Sequence, residues 1–282
     1  MKIGIAGATG YLGSHIVTYL NQNNFTFSAI ARNKQKLQAQ GVPEENILAV
    51  DLSSPEKLKG ALEGIDILIS TVGITRQKDG LTYMDVDYQV NRNLLDGAIR
   101  AKVKRFIYVS VLDGDNLRHL AICAAKERFV DELKLSGMDY CIIRPSGFFS
   151  DLEEFLRMAK KGRVYLLGDG QVKVNPIHGA DLAAFCVKAI EQNKKELNVG
   201  GPEVLTHQEI AKQAFDAVQK KPRITYIPDW VRRLLLRILP LVMRKSSFGP
   251  VQFFLNVMTM DMVGENYGKN KLGDHFHESL KK

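Results

Sequence analysis

The stretch "KIGIAGATGYLGSHI", residues 2–16, decides the fold. A short apolar run, Ile3 to Ala6, leads into Gly7, Gly10 and Gly13, each three apart, and an amphipathic segment, "YLGSHIVTYLNQ", follows. Strand, glycine turn and helix in that order are the context in which such glycines carry meaning. Gly7 permits a tight turn, Gly10 lets backbone approach a ligand, and Gly13 lets the helix lie close on the strand. The N–H groups and positive end of a helix starting near Tyr11 suit a diphosphate, with Thr9, Tyr11 and Leu12 in the loop and first turn around it. The spacing is GxxGxxG, not the GxGxxG of the common dehydrogenases.

Outward from that unit, apolar strand-length runs ("FTFSAIAR", "ILAVDL", "DILISTV", "RFIYVSV", "DYCIIRP") alternate with segments of helical pattern ("SPEKLKGALEG", "YQVNRNLLDGAIRAK", "AAKERFVDELKLSG"). The alternation predicts an α/β fold, a doubly wound parallel sheet with helices on both faces, whose ligands sit beyond the carboxyl ends of the strands. After Pro145 the pattern loosens; Gly168 and Gly170 predict a turn, and "GADLAAFCVKAIEQ" a helix starting near Asp181 and capped by it. Residues 1–150 are therefore expected to form the dinucleotide-binding domain. Residues 151–282 are expected to form a smaller C-terminal substrate or interaction lobe, interleaved with the first rather than independent, since no repeat or low-complexity linker divides them.

The second strand ends in "AIARNKQKL". An NAD-selective site usually carries an acidic residue there for the ribose 2′-hydroxyl, whereas this chain has Arg32, whose guanidinium suits a 2′-phosphate. NADP(H) is thus favoured over NAD(H), with Asn33 and Lys34 as helpers. Asp51 and Leu52, ending the third strand, are placed for the adenine edge, and Gly73 lets backbone pass close to the cofactor ribose.

A chain of 282 residues with 45% hydrophobic composition buries a sizeable core. Its formal charge of +8 is spread over small basic groups with no interleaved aromatics and no DNA-binding motif, which argues against nucleic acid as a partner. Cys123, Cys141 and Cys186 are far apart and predict thiols rather than disulfides or a zinc cage. With no secretory pattern after Met1, a cytoplasmic protein is expected. His275 and His277 form HxH without further ligands in view, so no metal site is expected. The segment "WVRRLLLRILPLVMRK", residues 230–245, is too short and too charged to span a bilayer. Its basic amphipathic character fits a peripheral membrane contact, a protein partner, or packing on its own lobe, and Pro240 argues against one straight helix. Homo-oligomerisation stays open.

With these residues assembled, the chain resembles the atypical short-chain dehydrogenases, in particular the NmrA-like and isoflavone-reductase-like NAD(P)-binding proteins. The likeness rests on "GATGYLG", "DYQVNRNLLDGAIRAKVKRFIYVSV", "AAKERFVDELKLSGMDYCIIRPSGFF", "NPIHGADLAAF" and "NVGGPEVLTHQEIA", in that order. It extends to the group containing the 39-kDa subunit of respiratory complex I, which implies nucleotide binding without clear turnover. Catalytic short-chain dehydrogenases use a Ser, a Tyr and a Lys four residues on, the ammonium lowering the phenol pKa. On this resemblance Ser110 and Lys126 match the Ser and Lys, but Ile122 stands where the Tyr belongs. The isoflavone-reductase-like relatives imply chemistry built on Lys126 alone; its other implied role is to bind the nicotinamide ribose. Pro145, in "RPSGFF" with Arg144, Phe148 and Phe149, matches the turn beside the nicotinamide. His119 and Tyr83 are further candidates near the site, and His178 reads as structural. The resemblance implies a Rossmann-type doubly wound parallel sheet with a smaller C-terminal substrate lobe, a small-molecule substrate and a reductase acting on a small carbonyl or activated double bond. A non-catalytic NADP(H)-binding sensor or assembly protein and a nucleotide-sugar epimerase-like enzyme are the alternatives.

Overall fold

The computed structural model describes residues 1–75, 77 and 80–281, with only the backbone of Lys245. It divides into two compact units, Met1–Arg144 with Leu182–Leu197, and Pro145–Asp181 with Asn198–Lys282.

In the first unit the strands β1 (Ile3–Ala6), β2 (Phe27–Ala31), β3 (Ile47–Ala49), β4 (Ile67–Ser70), β5 (Arg105–Val109) and β6 (Asp139–Pro145) lie side by side in the order β6-β5-β4-β1-β2-β3. All the registers are parallel, for example Ala6 opposite both Ile30 and Ser70. Every residue of β1, β2, β4 and β5 is buried, as a sheet covered on both faces requires. The covering helices are α1 (Tyr11–Gln22), α2 (Lys34–Ala39), α3 (Asn91–Arg100) and α4 (Ala121–Leu135). Gly137, with φ +77°, follows the end of α4 as a left-handed glycine cap.

The chain order reverses between β1 and β4, so a crevice opens at their carboxyl ends, where such sheets hold ligands. The segment "SPEKLKGALEG" departs from its helical reading. Only a 3-10 turn, Pro55–Leu58, forms, because Gly60 takes a φ of +73° and no helix continues through it. In contrast, the helix of "YQVNRNLLDGAIRAK" starts early, α3 being preceded by a π-helical stretch, Met84–Val90.

The second unit contains α5 (Glu153–Lys160), β7 (Val164–Leu167), β8 (Lys173–Val174), β10 (Leu205–Thr206), α7 (His207–Ala217), β11 (Ile224–Ile227), α8 (Asp229–Val242), α9 (Lys245–Val257), β12 (Glu265–Asn266) and α10 (Leu272–Ser279). Two elements straddle the boundaries, α6 (Gly179–Lys188) and β9 (Glu196–Gly200); within the second unit β12 pairs in parallel with the Val199–Gly200 end of β9. Thr206 and Glu209 form a reciprocal capping box at the start of α7.

Asp181 does not cap α6, which begins two residues earlier; its carboxylate instead accepts from the backbone of Lys269 and Asn270 and from the Asn270 side chain, at 2.8–3.1 Å. Pro240 lies inside α8, only two residues from its end, where little helix remains to be disturbed.

Candidate functional site

The glycine loop leaves β1 at the carboxyl edge of the sheet. Gly7 has φ +81° and accepts the Gly10 N–H at 2.9 Å; a Cβ on Gly7 would lie 2.8 Å from Thr71 Oγ1, at the end of β4. A Cβ on Gly13 would fall 2.2 Å from the Gly7 carbonyl oxygen, so α1 can lie against the loop only without one. Gly10 is different. It is the N-cap of α1, and its Cβ would touch the Gly7 carbonyl at 3.2 Å and nothing else within 4 Å. The first turn of α1 has neither a capping side chain nor an acidic residue, so its positive end stays electrostatically open. These features fit a diphosphate. Thr9 is half-buried, Tyr11 is exposed with its ring edge-on to His15 at 5.0 Å, and Leu12 is buried.

At the end of β2, Arg32 is exposed in an open depression with Asn33, Lys34 and Gln35, and it makes no ion pair among the described residues. Its predicted helpers are engaged elsewhere: Asn33 caps α2 by accepting the Lys36 N–H at 2.9 Å, and Lys34 pairs with Glu44. Asp51 accepts from the Ser53 hydroxyl and backbone at 2.7 and 3.1 Å, and the hydroxyl bond above all holds its carboxyl below the usual range. Leu52 belongs to the apolar core, its carbonyl accepting from Asn93.

Beyond β4 the chain meets a polar cluster under Gly73. A Cβ there would lie 2.6 Å from Asp87 Oδ1 and 2.8 Å from Lys126 Nζ. Those two groups form an ion pair at 3.0 Å, with Asp87 wholly buried and the Lys126 side chain 14% exposed. The other carboxylate oxygen of Asp87 accepts the Ile74 N–H at 3.2 Å. Asn91, one turn on, donates to the Val72 and Asp87 carbonyls and accepts from the Ser70 hydroxyl, which fixes the end of β4 against α3. The π-helical stretch brings Asp87 to this point; such turns recur at functional positions.

Burial opposes the charge on Lys126, but its ion pair with the Asp87 carboxylate favours it, and the ammonium is held above its ordinary pKa. Burial pushes the Asp87 carboxyl up while Lys126 pulls it back. The Tyr108 hydroxyl, on β5, is buried without a hydrogen-bond partner among the described residues, and Lys126 Nζ lies 5.6 Å from its ring centre. Tyr83 is buried too, its hydroxyl donating to the Thr75 carbonyl at 3.0 Å; burial, then the charge of Asp87, push its pKa up to about 12. Neither phenol is poised to give up a proton near neutrality.

Of the two residues matched to catalytic positions, Lys126 faces this cluster and Ser110 is bonded elsewhere. The Ser110 hydroxyl donates to Glu127 Oε1 at 2.8 Å, and the same buried carboxylate receives both terminal nitrogens of Arg144 at 2.6 and 2.8 Å. Ser110 and Arg144 thus share one satisfied buried ion pair. Ile122 is buried, His119 is exposed, and Pro145 is buried at the end of β6. In the second unit His178 accepts the Ala180 N–H at 3.2 Å, and Phe149 is buried.

The helix periodicity carries a signal for Asp87 that no motif contains. Asp87 and Asn91 share a helical face with Leu94 and Ala98, and Lys126 lies four residues from both Ile122 and Val130, so charged and polar groups interrupt apolar stripes. A charge in that position is either paired or functional.

A glycine cradle at the β1–β4 crevice, an open helix end and a lysine held charged beyond β4 define a nicotinamide-nucleotide-binding protein of Rossmann type. The chain belongs to the family described as NAD(P)H-binding, whose model matches residues 7–193. It is 27% identical to the chloroplastic divinyl chlorophyllide a 8-vinyl-reductase of Arabidopsis thaliana, across 100% of this chain and 77% of that one. It is 29% identical to the photosystem II assembly factor Ycf39 of Guillardia theta, across 81% and 74%. The NADPH-dependent quinone oxidoreductase QOR2 of Escherichia coli, solved with NADPH, shares the fold at a TM-score of 0.73 with 18% identity, over 99% of each chain.

Proposed function

We propose that the chain is an NADP(H)-dependent oxidoreductase that reduces an activated double bond or a small conjugated carbonyl. The observation that carries this reading is the charged Lys126, clamped by Asp87 under Gly73, with an isoleucine one turn before it where a phenol would donate a proton. Gly7, Gly10 and Gly13 hold the diphosphate, Arg32 takes the 2′-phosphate, and Gly73 lets the nicotinamide ribose approach Lys126. A reduced nicotinamide, when bound, supplies a hydride to the substrate.

Lys126 stays an ammonium and so acts as a fixed hydrogen-bond donor to an oxygen that gathers negative charge, rather than as a proton shuttle. That favours acceptors whose anion is delocalised. A plain ketone becomes a localised alkoxide, which wants a proton at once from a residue such as the missing tyrosine; an enolate or quinol anion can wait for solvent to deliver it. The names of the relatives, one a vinyl reductase and one neighbour a quinone oxidoreductase, agree with this preference.

The test is NADPH consumption with a panel of quinones and α,β-unsaturated carbonyls, and identification of a product that has gained two hydrogens. Unchanged turnover in Lys126→Ala would overturn the role given to that residue. Tight nucleotide binding without turnover of any acceptor would favour the second reading, a nucleotide-binding assembly protein, which Ile122 and the likeness to an assembly factor support.

A further inference from the structure

Residues 220–245 hold eight lysines and arginines against one acidic residue, Asp229. The helix α8 within this segment has no buried residue. Trp230, Leu234, Ile238 and Leu241 are all exposed, and they recur at steps of four, four and three, which places them on one helical face. Leu235 and Val242 widen the stripe, and the apolar end of the helix is the barest part: Leu241 is 83% and Val242 73% exposed.

The arginines frame this face. Asp229 binds Arg232 and Arg233 at 2.5 and 2.6 Å at the start of the helix, whereas Arg237 and Arg244 are exposed with no ion pair among the described residues. No helix among the described residues is long and apolar enough to cross a membrane.

We propose that α8 docks in the plane of an anionic lipid surface, its apolar face in the boundary between headgroups and acyl chains and its arginines on lipid phosphates. Three features favour lipid over other occupants. A second copy would bring the same arginines against one another, with no acidic patch on the segment to receive them. Tryptophan and arginine beside bare aliphatics match the layered polarity of a bilayer interface. A short, highly amphipathic and strongly basic helix is also what in-plane binding requires, since each cation near an anionic surface adds to the attraction.

Trp230 is the only tryptophan of the chain, so its emission reports on this face directly. The full chain is titrated with phosphatidylcholine vesicles and with vesicles that also contain phosphatidylglycerol, at low and high salt. Expected are a blue shift and co-sedimentation with the anionic vesicles alone, weakened by salt. Ile238→Glu with Leu241→Glu should abolish both, and Arg237→Glu with Arg244→Glu should weaken binding at least about tenfold. All four side chains are exposed, so thermal midpoint and nucleotide binding should not change in either variant. Three outcomes would overturn the proposal: no partition into anionic vesicles at low salt, equal partition into neutral ones, or partition untouched by the double glutamate variant. A blue shift that grows with protein concentration and needs no lipid would replace it with self-association.

Discussion

Lys126 Nζ lies 3.0 Å from Oδ1 of Asp87, a carboxylate with no exposed surface, and both groups fill the space that a side chain on residue 73 would occupy. The pair makes Asp87 a positioning residue for the ammonium. Asp87→Asn leaves that charge facing a neutral amide, at a cost of about 3 kcal/mol, the low end for an orphaned buried charge because Lys126 keeps some exposure. The opposing charge raises the lysine pKa, so its removal lowers it. An alkaline limb should therefore appear in the pH profile of kcat for Asp87→Asn at a lower pH than in the wild type. Lys126→Ala should lower kcat by roughly 10²-fold or more, the usual cost of losing one charged donor at a developing anion. A merely structural pair would move stability and leave the profile in place.

The legibility of this site in the sequence was uneven for physical reasons. Gly7, Gly10 and Gly13 act locally, within one turn of chain, and their spacing states their geometry. The fully buried strands are equally plain, because a sheet covered on both faces needs continuous apolar runs. Asp87 is opaque to motif reading because its partner is 39 residues away and meets it only through the π-helical stretch before α3. Ser110 is opaque for the same reason: its sequence context matches a catalytic serine, while in the fold its hydroxyl donates to Glu127 of α4, a carboxylate that Arg144 of β6 also binds. The helical pattern at 55–64 yields one 3-10 turn because Gly60, inside it, takes the left-handed conformation, which amphipathic spacing does not reveal.

Gly10 and Gly13 separate nucleotide binding from folding. Gly13→Ala drives a methyl into the Gly7 carbonyl, backbone that cannot move without shifting α1, and should cost about 1–3 kcal/mol as well as abolish NADPH binding. Gly10→Ala meets one atom at 3.2 Å and otherwise points into open space, so its thermal midpoint should stay near that of the wild type. If that open space receives the diphosphate, calorimetry should nevertheless find NADPH binding severely weakened. Normal affinity in Gly10→Ala would remove the nucleotide from the loop.

Arg32 tests the choice between the two nicotinamide nucleotides. It is exposed and makes no ion pair among the described residues, so Arg32→Ala should leave stability within about 0.5 kcal/mol. A charge-assisted hydrogen bond contributes roughly 1.5–3 kcal/mol. NADPH affinity should accordingly fall by about 10- to 100-fold while NADH affinity is unchanged, measured by calorimetric titration of both. An equal loss for both nucleotides would assign Arg32 to something other than the 2′-phosphate.

His207 gives the second unit a pH response of known sign. The ring is 1% exposed at the start of α7, neither nitrogen has a hydrogen-bond partner among the described residues, and burial holds its pKa down to about 4. The unfolded chain binds a proton on this residue near its ordinary pKa of 6.5, whereas the folded chain resists until about pH 4. The stability contribution is thus complete above pH 6.5 and is lost as pH falls through that window. Unfolding free energy should decline by up to about 1.4 kcal/mol per pH unit from this group, most steeply near pH 5. In His207→Leu, which fills similar volume without a titrating ring, that part of the slope should vanish. The remaining acid sensitivity would then come from carboxylates such as Glu209, held below their usual range by the α7 cap. An unaltered slope would mean that the ring is protonated, and therefore partnered, in the folded protein.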